Sequence, residues 1–188
     1  LNVPKVLELA LNNGRNALTG RQVGPQTGDP LAFASFDSLY AAFEAQLNWV
    51  VDLKIRVNNQ IERLYAVDSP APFLSVVISD CIGKGRDYYD GGPRYNTNYI
   101  QCCGIGTVTD SLSALDTHVY RDRAVGMERL LGALAADFEG EELLRRQLQN
   151  KTPFFGNDDD RADALMRRVY DSLFAAIEGR PNTKGSVY

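Results

Sequence analysis

The stretch GGPRYNTNYIQCCGIGTVTDSLSAL, residues 91–115, decides how the chain is interpreted. After a Gly-Gly-Pro turn it runs through RYNTNYIQ at residues 94–101, a segment with β-favouring residues and no helical spacing of apolar side chains. We therefore predict a β-strand over residues 94–101. Because side chains alternate along a strand, one face carries four residues that could line a cavity: Tyr95, Thr97, Tyr99 and Gln101.

The opposite face of this predicted strand carries Asn96, Asn98 and Ile100. Asparagine side chains that are buried under helices need hydrogen-bond partners, so we expect these two to satisfy backbone groups rather than to touch a ligand. Residues that line a pocket mostly shape it, and direct contact with a ligand is the less frequent role.

The adjacent cysteines Cys102 and Cys103 invite assignment as a catalytic or redox site. Thiol reactivity requires nearby positive charge or a helix N-terminus, and the nearest preceding cation, Arg94, lies eight residues before Cys102. Gly104 follows the pair at once, which suits close backbone packing. We interpret the cysteine pair as structural.

Upstream of this stretch the spacing predicts helices. Asn2 caps a short helix that ends at Gly14, and residues 15–34 are rich in glycine and proline and form a loop. Ser35 caps a long helix. Its apolar stripe, interrupted by Lys54, predicts lengthwise packing against a larger body: Phe36, Leu39, Tyr40, Phe43, Leu47, Val50, Val57, Ile61 and Leu64.

The remaining elements are also predicted to be mainly helical. The sequence SPAP at residues 69–72 ends the long helix, and residues 73–85 favour a helix over a buried strand, with Cys81 facing the core. Thr109 or Asp110 caps a helix that runs through Leu112, Leu115 and Val119. Further helices are expected near residues 125–138, 141–150 and 160–178. The predicted fold class is α/β, predominantly helical, with few strands.

Composition excludes several classes of partner. The 188 residues suffice for one sizeable core, and 24 acidic against 20 basic residues give a net charge of −4. This balance gives no electrostatic reason to expect nucleic acid or an anionic membrane as a partner. No apolar run approaches the ~20 residues of a membrane-spanning helix. Three cysteines without a disulfide pattern indicate a reducing, cytoplasmic setting.

Metal and nucleophilic sites also lack support. The single histidine, His118, has no partner motif, so we expect it on a helix surface or at an interface. No CxxC spacing favours zinc. The acidic run at residues 157–160 lacks the alternating ligands of a calcium loop and is interpreted as capping of the following helix. We predict no metal site.

Longer stretches of the sequence resemble a known family. LNVPKVLELALNNGRNALTGRQVGPQTGD (residues 1–29), SPAPFLSVVISDCIGKGRDYYDGGPRYNTNYIQCCGIGTVTDSLSAL (69–115) and LLRRQLQNKTPFFGNDDDRADALMRRVYDSLF (143–174) are similar to the interior of glycyl radical enzymes. The resemblance is to the dehydratase branch of the pyruvate formate-lyase-like superfamily. It implies a barrel of two parallel half-barrels surrounded by helices. Residues 1–188 would be an internal segment of this single larger catalytic domain.

The resemblance also implies an activity. In this family a glycine-based radical passes to a cysteine, whose thiyl takes a hydrogen atom from a small-molecule substrate. A radical-SAM activating enzyme installs the radical, and the enzymes are typically anaerobic, cytoplasmic homodimers. The Gly-Cys-Val-Glu-like and Arg-Val-x-Gly-Tyr-like motifs that carry the two radicals are absent from this chain. We therefore assign no catalytic residue and no bound cofactor to residues 1–188, and expect the glycyl radical in the full-length enzyme.

Cys102 and Cys103 resemble the adjacent catalytic cysteines of pyruvate formate-lyase only in their spacing. They follow GGPRYNTNYIQ, where the dehydratase branch has a strand without a catalytic role, so the pair should not be called catalytic. The sequence NTNYIQ resembles the trans-4-hydroxy-L-proline dehydratase group, which removes water from a hydroxylated ring. Diol dehydratases, carbon–nitrogen or carbon–sulfur lyases and arylacetate decarboxylases are the alternatives.

A second hypothesis is a helical interaction or scaffold module derived from the same family and catalytically dead. The start at Leu1 and the polar stretch before Tyr188 lead us to expect a segment of something longer. An open reading frame that continues into a glycyl radical motif would favour the enzyme, and a stop at this point would favour the module.

Overall fold

The computed structural model describes all 188 residues, Leu1–Tyr188, and confirms a predominantly helical chain. Short 3₁₀ turns occur at Pro30–Ala32 and Tyr88–Asp90, and a π-helix spans Leu115–Arg121. The eight α-helices are α1 (Val3–Leu11), α2 (Phe36–Asp68), α3 (Pro72–Val77), α4 (Cys81–Lys84), α5 (Ile105–Ala114), α6 (Met127–Ala135), α7 (Glu142–Lys151) and α8 (Asp160–Ile177). None of them is both long enough and apolar enough to cross a membrane.

The chain divides into two compact units. Unit 1 comprises Leu1, Val51–Gln101 and Phe174–Tyr188. Unit 2 comprises Asn2–Val50 and Cys102–Leu173. Most of the buried apolar side chains belong to unit 2, which therefore holds the main hydrophobic core.

The predicted caps of α1 and α2 are confirmed. The side-chain oxygen of Asn2 accepts a hydrogen bond from the Lys5 backbone N–H at 3.2 Å. The hydroxyl of Ser35 accepts one from the Ser38 N–H, also at 3.2 Å. Each bond satisfies a backbone donor that a helix leaves unpaired in its first turn, which is why the helices begin at these residues.

The apolar stripe of α2 is buried along only half of its length. In unit 2, Leu39, Tyr40 and Phe43 are fully buried. In unit 1, Ile61 and Leu64 are exposed. The expected lengthwise packing therefore holds for the first half of the helix, and the second half presents apolar side chains to solvent.

Residues 73–85 are helical, as predicted, although in two short helices rather than one. α3 ends at Val77, and α4 starts after Asp80, whose backbone is left-handed with φ of 78°. Cys81 is buried, as expected. Gly85 takes a left-handed conformation and ends α4.

The predicted start of α5 is wrong. The helix begins at Ile105, so Thr109 lies inside it and its hydroxyl donates to the Ile105 carbonyl at 2.9 Å. The residue before the helix is Gly104, with φ of 79° and no capping side chain. The usual Ser, Thr or Asp signal of a helix start is therefore missing at this position, and sequence reasoning chose the next residues that offer it.

The three later helices are confirmed at α6, α7 and α8. The acidic run before α8 acts as a cap, as predicted, because the Asp159 carboxylate accepts a hydrogen bond from the Arg161 N–H at 3.0 Å. Asp159 also pairs with the Arg161 guanidinium at 2.9 Å.

The predicted strand at residues 94–101 is not formed, and the chain contains no strand ladder. Only isolated bridges occur, pairing Asn2 with Cys103, Arg15 with Gln22 and Pro181 with Val187. A strand exists only when a neighbouring strand pairs with it, and no other segment of the 188 residues supplies one. The prediction failed because single-sequence patterns report side-chain alternation and not the presence of a partner.

Candidate functional site

A network of polar side chains in unit 1 holds residues 94–101 against α2. The Glu62 carboxylate of α2 accepts a hydrogen bond from the Asn98 side-chain amide at 2.5 Å. It also accepts one from the Thr183 hydroxyl at 2.8 Å and pairs with the Lys184 ammonium at 3.3 Å. Glu62 and Lys184 have side chains only 22% and 18% exposed, so this charge pair is largely shielded from water.

The C-terminal residues of unit 1 complete the network. The side-chain amide of Asn182 donates to the Asn96 carbonyl at 2.6 Å, and its oxygen accepts from the backbone N–H groups of Lys184 and Ser186 at 2.9 Å. Asn59 of α2 donates to the Pro181 carbonyl at 3.1 Å and accepts from the Tyr188 hydroxyl at 3.0 Å. Side-chain hydrogen bonds therefore fix residues 94–101 where a strand ladder would normally do so.

The alternation expected for residues 94–101 is present even though the strand is not. Asn96, Asn98 and Ile100 are half-buried, and both asparagines form hydrogen bonds within the network. Tyr95 and Tyr99 are each 85% exposed, and Thr97 and Gln101 are exposed as well. We call these four the outward face: Tyr95, Thr97, Tyr99 and Gln101. Within it, the Thr97 hydroxyl donates to the Tyr99 phenol oxygen at 3.0 Å.

The outward face offers hydroxyl, amide and aromatic groups but no charged group. Such a surface can orient a polar substrate by hydrogen bonds and can exclude water with its rings. The two half-buried asparagines bind within the network, which agrees with the expectation that they do not face a ligand.

Burial does not favour reactivity at the cysteine pair. Cys102 is half-buried, and this burial raises the pKa of its thiol. A raised pKa lowers the thiolate fraction, which is the opposite of what a nucleophilic cysteine requires. Cys103 is exposed, and its carbonyl accepts a hydrogen bond from the Val3 N–H at 3.1 Å. The pair lies where α1 begins, in agreement with a structural role.

The expected surface position of His118 is wrong, because this side chain is only 2% exposed. It lies in the π-helix, and its Nε2 is 3.1 Å from the Thr152 hydroxyl, which itself donates to the Leu148 carbonyl at 2.6 Å. Nε2 is therefore the donor, and Nδ1 is a buried acceptor without a protein partner. Burial lowers the pKa of His118, with a further decrease from Lys151 and an opposing effect of Asp122.

Sequence reasoning missed an apolar cavity of about 520 Å³ in unit 2. It lies between α1, α5 and α6, and its lining includes Leu7, Leu115 and Leu134. The one carboxylate in it, Glu8, is already bound by Lys5 and by the Ala17 N–H. The cavity can hold apolar groups, but it offers no free acid or base. No sequence signal marks it, since it arises from helices that are distant along the chain.

Comparison with known proteins gives a consistent result along the whole chain. The family model described as pyruvate formate lyase-like matches residues 1–188. The chain is 46% identical over 188 residues to trans-4-hydroxy-L-proline dehydratase of Clostridioides difficile. It is 31% identical over 189 residues to (2S)-3-sulfopropanediol dehydratase of Klebsiella oxytoca.

Solved structures agree with the sequence matches. The crystal structure of hydroxyproline dehydratase from Clostridioides difficile, with trans-4-hydroxy-L-proline bound, superposes with a TM-score of 0.96 over 99% of this chain. The glycerol-bound structure of glycerol dehydratase from Clostridium butyricum superposes with a TM-score of 0.93 over 100% of this chain, at 31% sequence identity. The chain spans 24% and 23% of those two structures, about a quarter of the length of its relatives.

Proposed function

The chain belongs to the pyruvate formate lyase-like family, and from this premise we propose that it is an internal segment of the catalytic barrel domain of a glycyl radical dehydratase. The proposed reaction is removal of water from a hydroxylated substrate, with trans-4-hydroxy-L-proline as the substrate class. The observation that carries the proposal is 46% identity over the full length of the chain to a dehydratase of that substrate, combined with a TM-score of 0.96.

The proposed role of residues 1–188 is to form part of the barrel wall. The thiyl cysteine and the radical glycine lie outside this segment, so it supplies no catalytic residue and binds no separate cofactor. The outward face of residues 94–101 borders the cavity. Its exposed hydroxyl and amide groups suit a polar ring, and the lack of a charged group there suits a step in which a hydrogen atom, and not a proton, is transferred.

The rest of the proposal follows the family resemblance. A radical-SAM activating enzyme places the radical on the glycine, the protein acts as a homodimer in the cytoplasm, and oxygen inactivates it. The segment contributes by excluding water and oxygen from the substrate cavity, since a thiyl radical survives only where it is shielded.

The test uses the full-length protein, purified without oxygen and treated with its activating enzyme. Electron paramagnetic resonance should detect a glycyl radical. Mass spectrometry should then follow loss of one water from trans-4-hydroxy-L-proline, with the cis isomer, glycerol and 1,2-propanediol as comparison substrates. If the glycyl radical forms and the protein converts a diol but not hydroxyproline, the diol dehydratase alternative is correct. Failure to form any radical would contradict the enzyme and favour the scaffold module.

The outward face has its own test within the same assay. Tyr99→Phe removes only the hydroxyl that bonds Thr97, and Tyr170→Phe is the matched control on the exposed surface of α8. We expect Tyr99→Phe to raise KM for the hydroxylated substrate several-fold and Tyr170→Phe to leave it unchanged. Equal KM values for the two variants would contradict the proposal that residues 94–101 border the cavity.

A further inference from the structure

Asp80 lies at a position where its side chain does not play the usual part of an aspartate. Its backbone is left-handed, with φ of 78°, a conformation that glycine adopts readily and most other residues avoid. It precedes the first residue of α4, where an aspartate typically accepts a hydrogen bond from a backbone N–H of the first turn, yet its side chain forms no such bond. The carboxylate of Asp80 therefore serves something other than the helix that begins beside it.

That carboxylate binds Arg94 in a two-pronged ion pair. Arg94 Nε donates to one oxygen of Asp80 at 3.0 Å, and Nη2 donates to the other oxygen at 2.8 Å. The hydrogen bond from Arg94 lowers the pKa of Asp80, so the carboxylate is ionised at neutral pH. Because both oxygens are engaged, the pair fixes the orientation of the guanidinium plane as well as its distance.

The turn that precedes this arginine is also held against α4. The Lys84 ammonium of α4 donates to the Pro93 carbonyl at 3.0 Å. A Cβ on Gly92 would lie 2.7 Å from the Asp87 carbonyl oxygen and 2.8 Å from the Cys81 sulfur, so only glycine permits this close an approach. The turn therefore provides a fixed base from which the following segment extends.

Arg94 is the first of the residues that anchor the segment 94–101. Asn96, two residues later and on the same side by alternation, donates to two carbonyl groups of the preceding turn at 3.3 and 2.5 Å. Tyr95 lies between these two anchored residues and is the first member of the outward face, with 85% of its side chain exposed. The backbone on both sides of Tyr95 is therefore held in place, and on one side the ion pair with Asp80 holds it.

From these contacts we infer that Asp80 is a positioning residue: through Arg94 it fixes Tyr95, and thereby the fit of the hydroxylated substrate against the outward face. The inference rests on the proposed function, in which the outward face borders the substrate cavity. Asp80 is not a member of that face, so its effect on the substrate passes through the ion pair. Loss of the carboxylate should weaken substrate binding and leave the reaction of bound substrate nearly unchanged, since the residues that carry the radicals lie elsewhere.

Asp80→Asn and Asp80→Gly in the full-length protein test the inference. Asparagine and glycine both accept a left-handed backbone, so these variants remove the charge without adding backbone strain. We expect KM for trans-4-hydroxy-L-proline to rise about tenfold in both variants, with kcat changed less than about twofold. The melting temperature should stay within a few degrees of wild type, because partly exposed ion pairs contribute little to stability.

Two further variants separate positioning from a general effect of charge. Asp90→Asn is the matched control, since it breaks the Arg86–Asp90 ion pair of the same unit and should leave KM unchanged. Arg94→Lys keeps the charge but loses the two-pronged bond, so its KM should lie between those of wild type and Asp80→Asn. An unchanged KM in the Asp80 variants overturns the inference. A rise of equal size in Asp90→Asn also overturns it, and so does a fall in kcat that accompanies a large loss of melting temperature.

Hydrogen–deuterium exchange gives a readout that does not depend on turnover. Backbone N–H groups of residues 94–98 should exchange several-fold faster in Asp80→Asn than in wild type or Asp90→Asn, because the segment opens more readily without its ion pair. Unchanged exchange overturns the inference even if the wild-type protein dehydrates hydroxyproline. If exchange is faster in Asp80→Asn but the wild-type protein converts no substrate, the proposed function fails and the positioning of Tyr95 by Asp80 is supported.

Discussion

Glu62 and Asn98, 36 residues apart in sequence, are joined by a hydrogen bond of 2.5 Å between carboxylate and side-chain amide. This bond ties a segment without regular secondary structure to the long helix α2. The same carboxylate binds Thr183 and Lys184. Two segments of unit 1, residues 94–101 and the C-terminal residues, are therefore bound to α2 through one side chain.

The first prediction concerns that carboxylate. Glu62→Gln keeps the shape but removes the charge that three donors share, and it introduces an amide N–H among them. We expect a loss of about 1.5 to 2 kcal/mol in the free energy of unfolding, the lower part of the range for bonds to charged groups. Glu178→Gln, at an exposed position of unit 1, is the matched control and should change little. Urea denaturation of the full-length protein measures both, and equal effects would show that the network does not stabilise unit 1.

The second prediction concerns how the contribution of Asp87 to stability depends on pH. Burial alone would raise the pKa of Asp87, but hydrogen bonds from the N–H groups of Tyr89 and Ala71 and from the Ser75 hydroxyl outweigh it, so the pKa lies below the ordinary 3.8. A carboxylate whose pKa is lower in the folded than in the unfolded protein contributes its full stabilisation of the fold above the unfolded-state pKa. This contribution is lost as the pH falls through the folded-state pKa.

Asp87→Asn should therefore destabilise the protein at pH 6, by about 1 to 3 kcal/mol for loss of a charged acceptor of several hydrogen bonds. The difference between wild type and variant should shrink progressively below about pH 4. Thermal unfolding followed from pH 6 down to pH 3 measures it. A difference that stays constant over that range would mean that Asp87 is not the titrating group.

The third prediction concerns His118, whose pKa is lowered mainly by burial. As the pH falls, the unfolded chain binds a proton at this histidine before the folded protein does. The free energy of unfolding is therefore unaffected above the ordinary pKa of 6.5 and decreases as the pH falls from there towards the folded-state pKa. The slope is at most about 1.4 kcal/mol per pH unit, as expected for one proton. His118→Gln should lack this slope between pH 6.5 and the folded pKa. Parallel stability curves for the two proteins would contradict the assignment.

The fourth prediction compares two glycines. A Cβ on Gly104 would lie 2.7 Å from the Pro4 ring, and its φ is +79°. Gly104→Ala should therefore cost about 1 to 2 kcal/mol from the left-handed backbone alone, with the steric clash in addition. A Cβ on Gly132, inside α6, would meet only open space, so Gly132→Ala should stabilise by about 0.5 to 1 kcal/mol. Shifts of opposite sign in the denaturation midpoint are the expected result, and two losses of equal size would contradict it.

The fifth prediction concerns the exposed half of α2. A polypeptide of residues 1–188 produced alone should self-associate, because Val57, Ile61 and Leu64 face solvent. Ile61→Glu should reduce the association. Gln60→Glu adds the same charge at the neighbouring exposed position and should reduce it much less. Sedimentation velocity distinguishes the two. A monomeric wild-type segment with a sharp, cooperative thermal transition would contradict the prediction.

Local signals in the sequence predict the helices well where a side chain caps the first turn. Asn2 and Ser35 each satisfy a backbone donor, and both helices begin beside them. Gly104 gives no such signal, because its contribution is a left-handed backbone next to Pro4. A helix start that depends on backbone conformation and on a distant contact cannot be identified from nearby polar residues.

The burial of His118 could not be predicted for a different reason. Helical spacing of 3.6 residues carries the buried face of α5 from Leu112 through Leu115 to Val119. His118 follows Leu115 by three residues, a spacing that places both side chains on one side of a helix, and both are buried. The surface position was predicted because no partner motif lies near this histidine in the sequence, whereas its hydrogen-bond partner, Thr152, lies 34 residues further along the chain.

The alternation of side chains along residues 94–101 could be predicted from the sequence, but whether this segment pairs with a neighbouring strand could not. Which side chains share a face follows from an extended backbone alone, and exposure of Tyr95 and Tyr99 agrees with it. Pairing depends on strands that the 188 residues do not contain. The apolar cavity in unit 2 likewise arises from tertiary packing that no local pattern encodes.

The side chains of Asn96 and Asn98 help to attach residues 94–101 to the rest of unit 1, whereas the side chains of the outward face make no such bond. Exchange of Tyr95, Thr97, Tyr99 or Gln101 leaves every anchoring bond in place. In the proposed function, side chains at these alternating positions can therefore be exchanged without loss of the bonds that hold the segment, although Thr97 and Tyr99 are coupled to each other by their hydrogen bond.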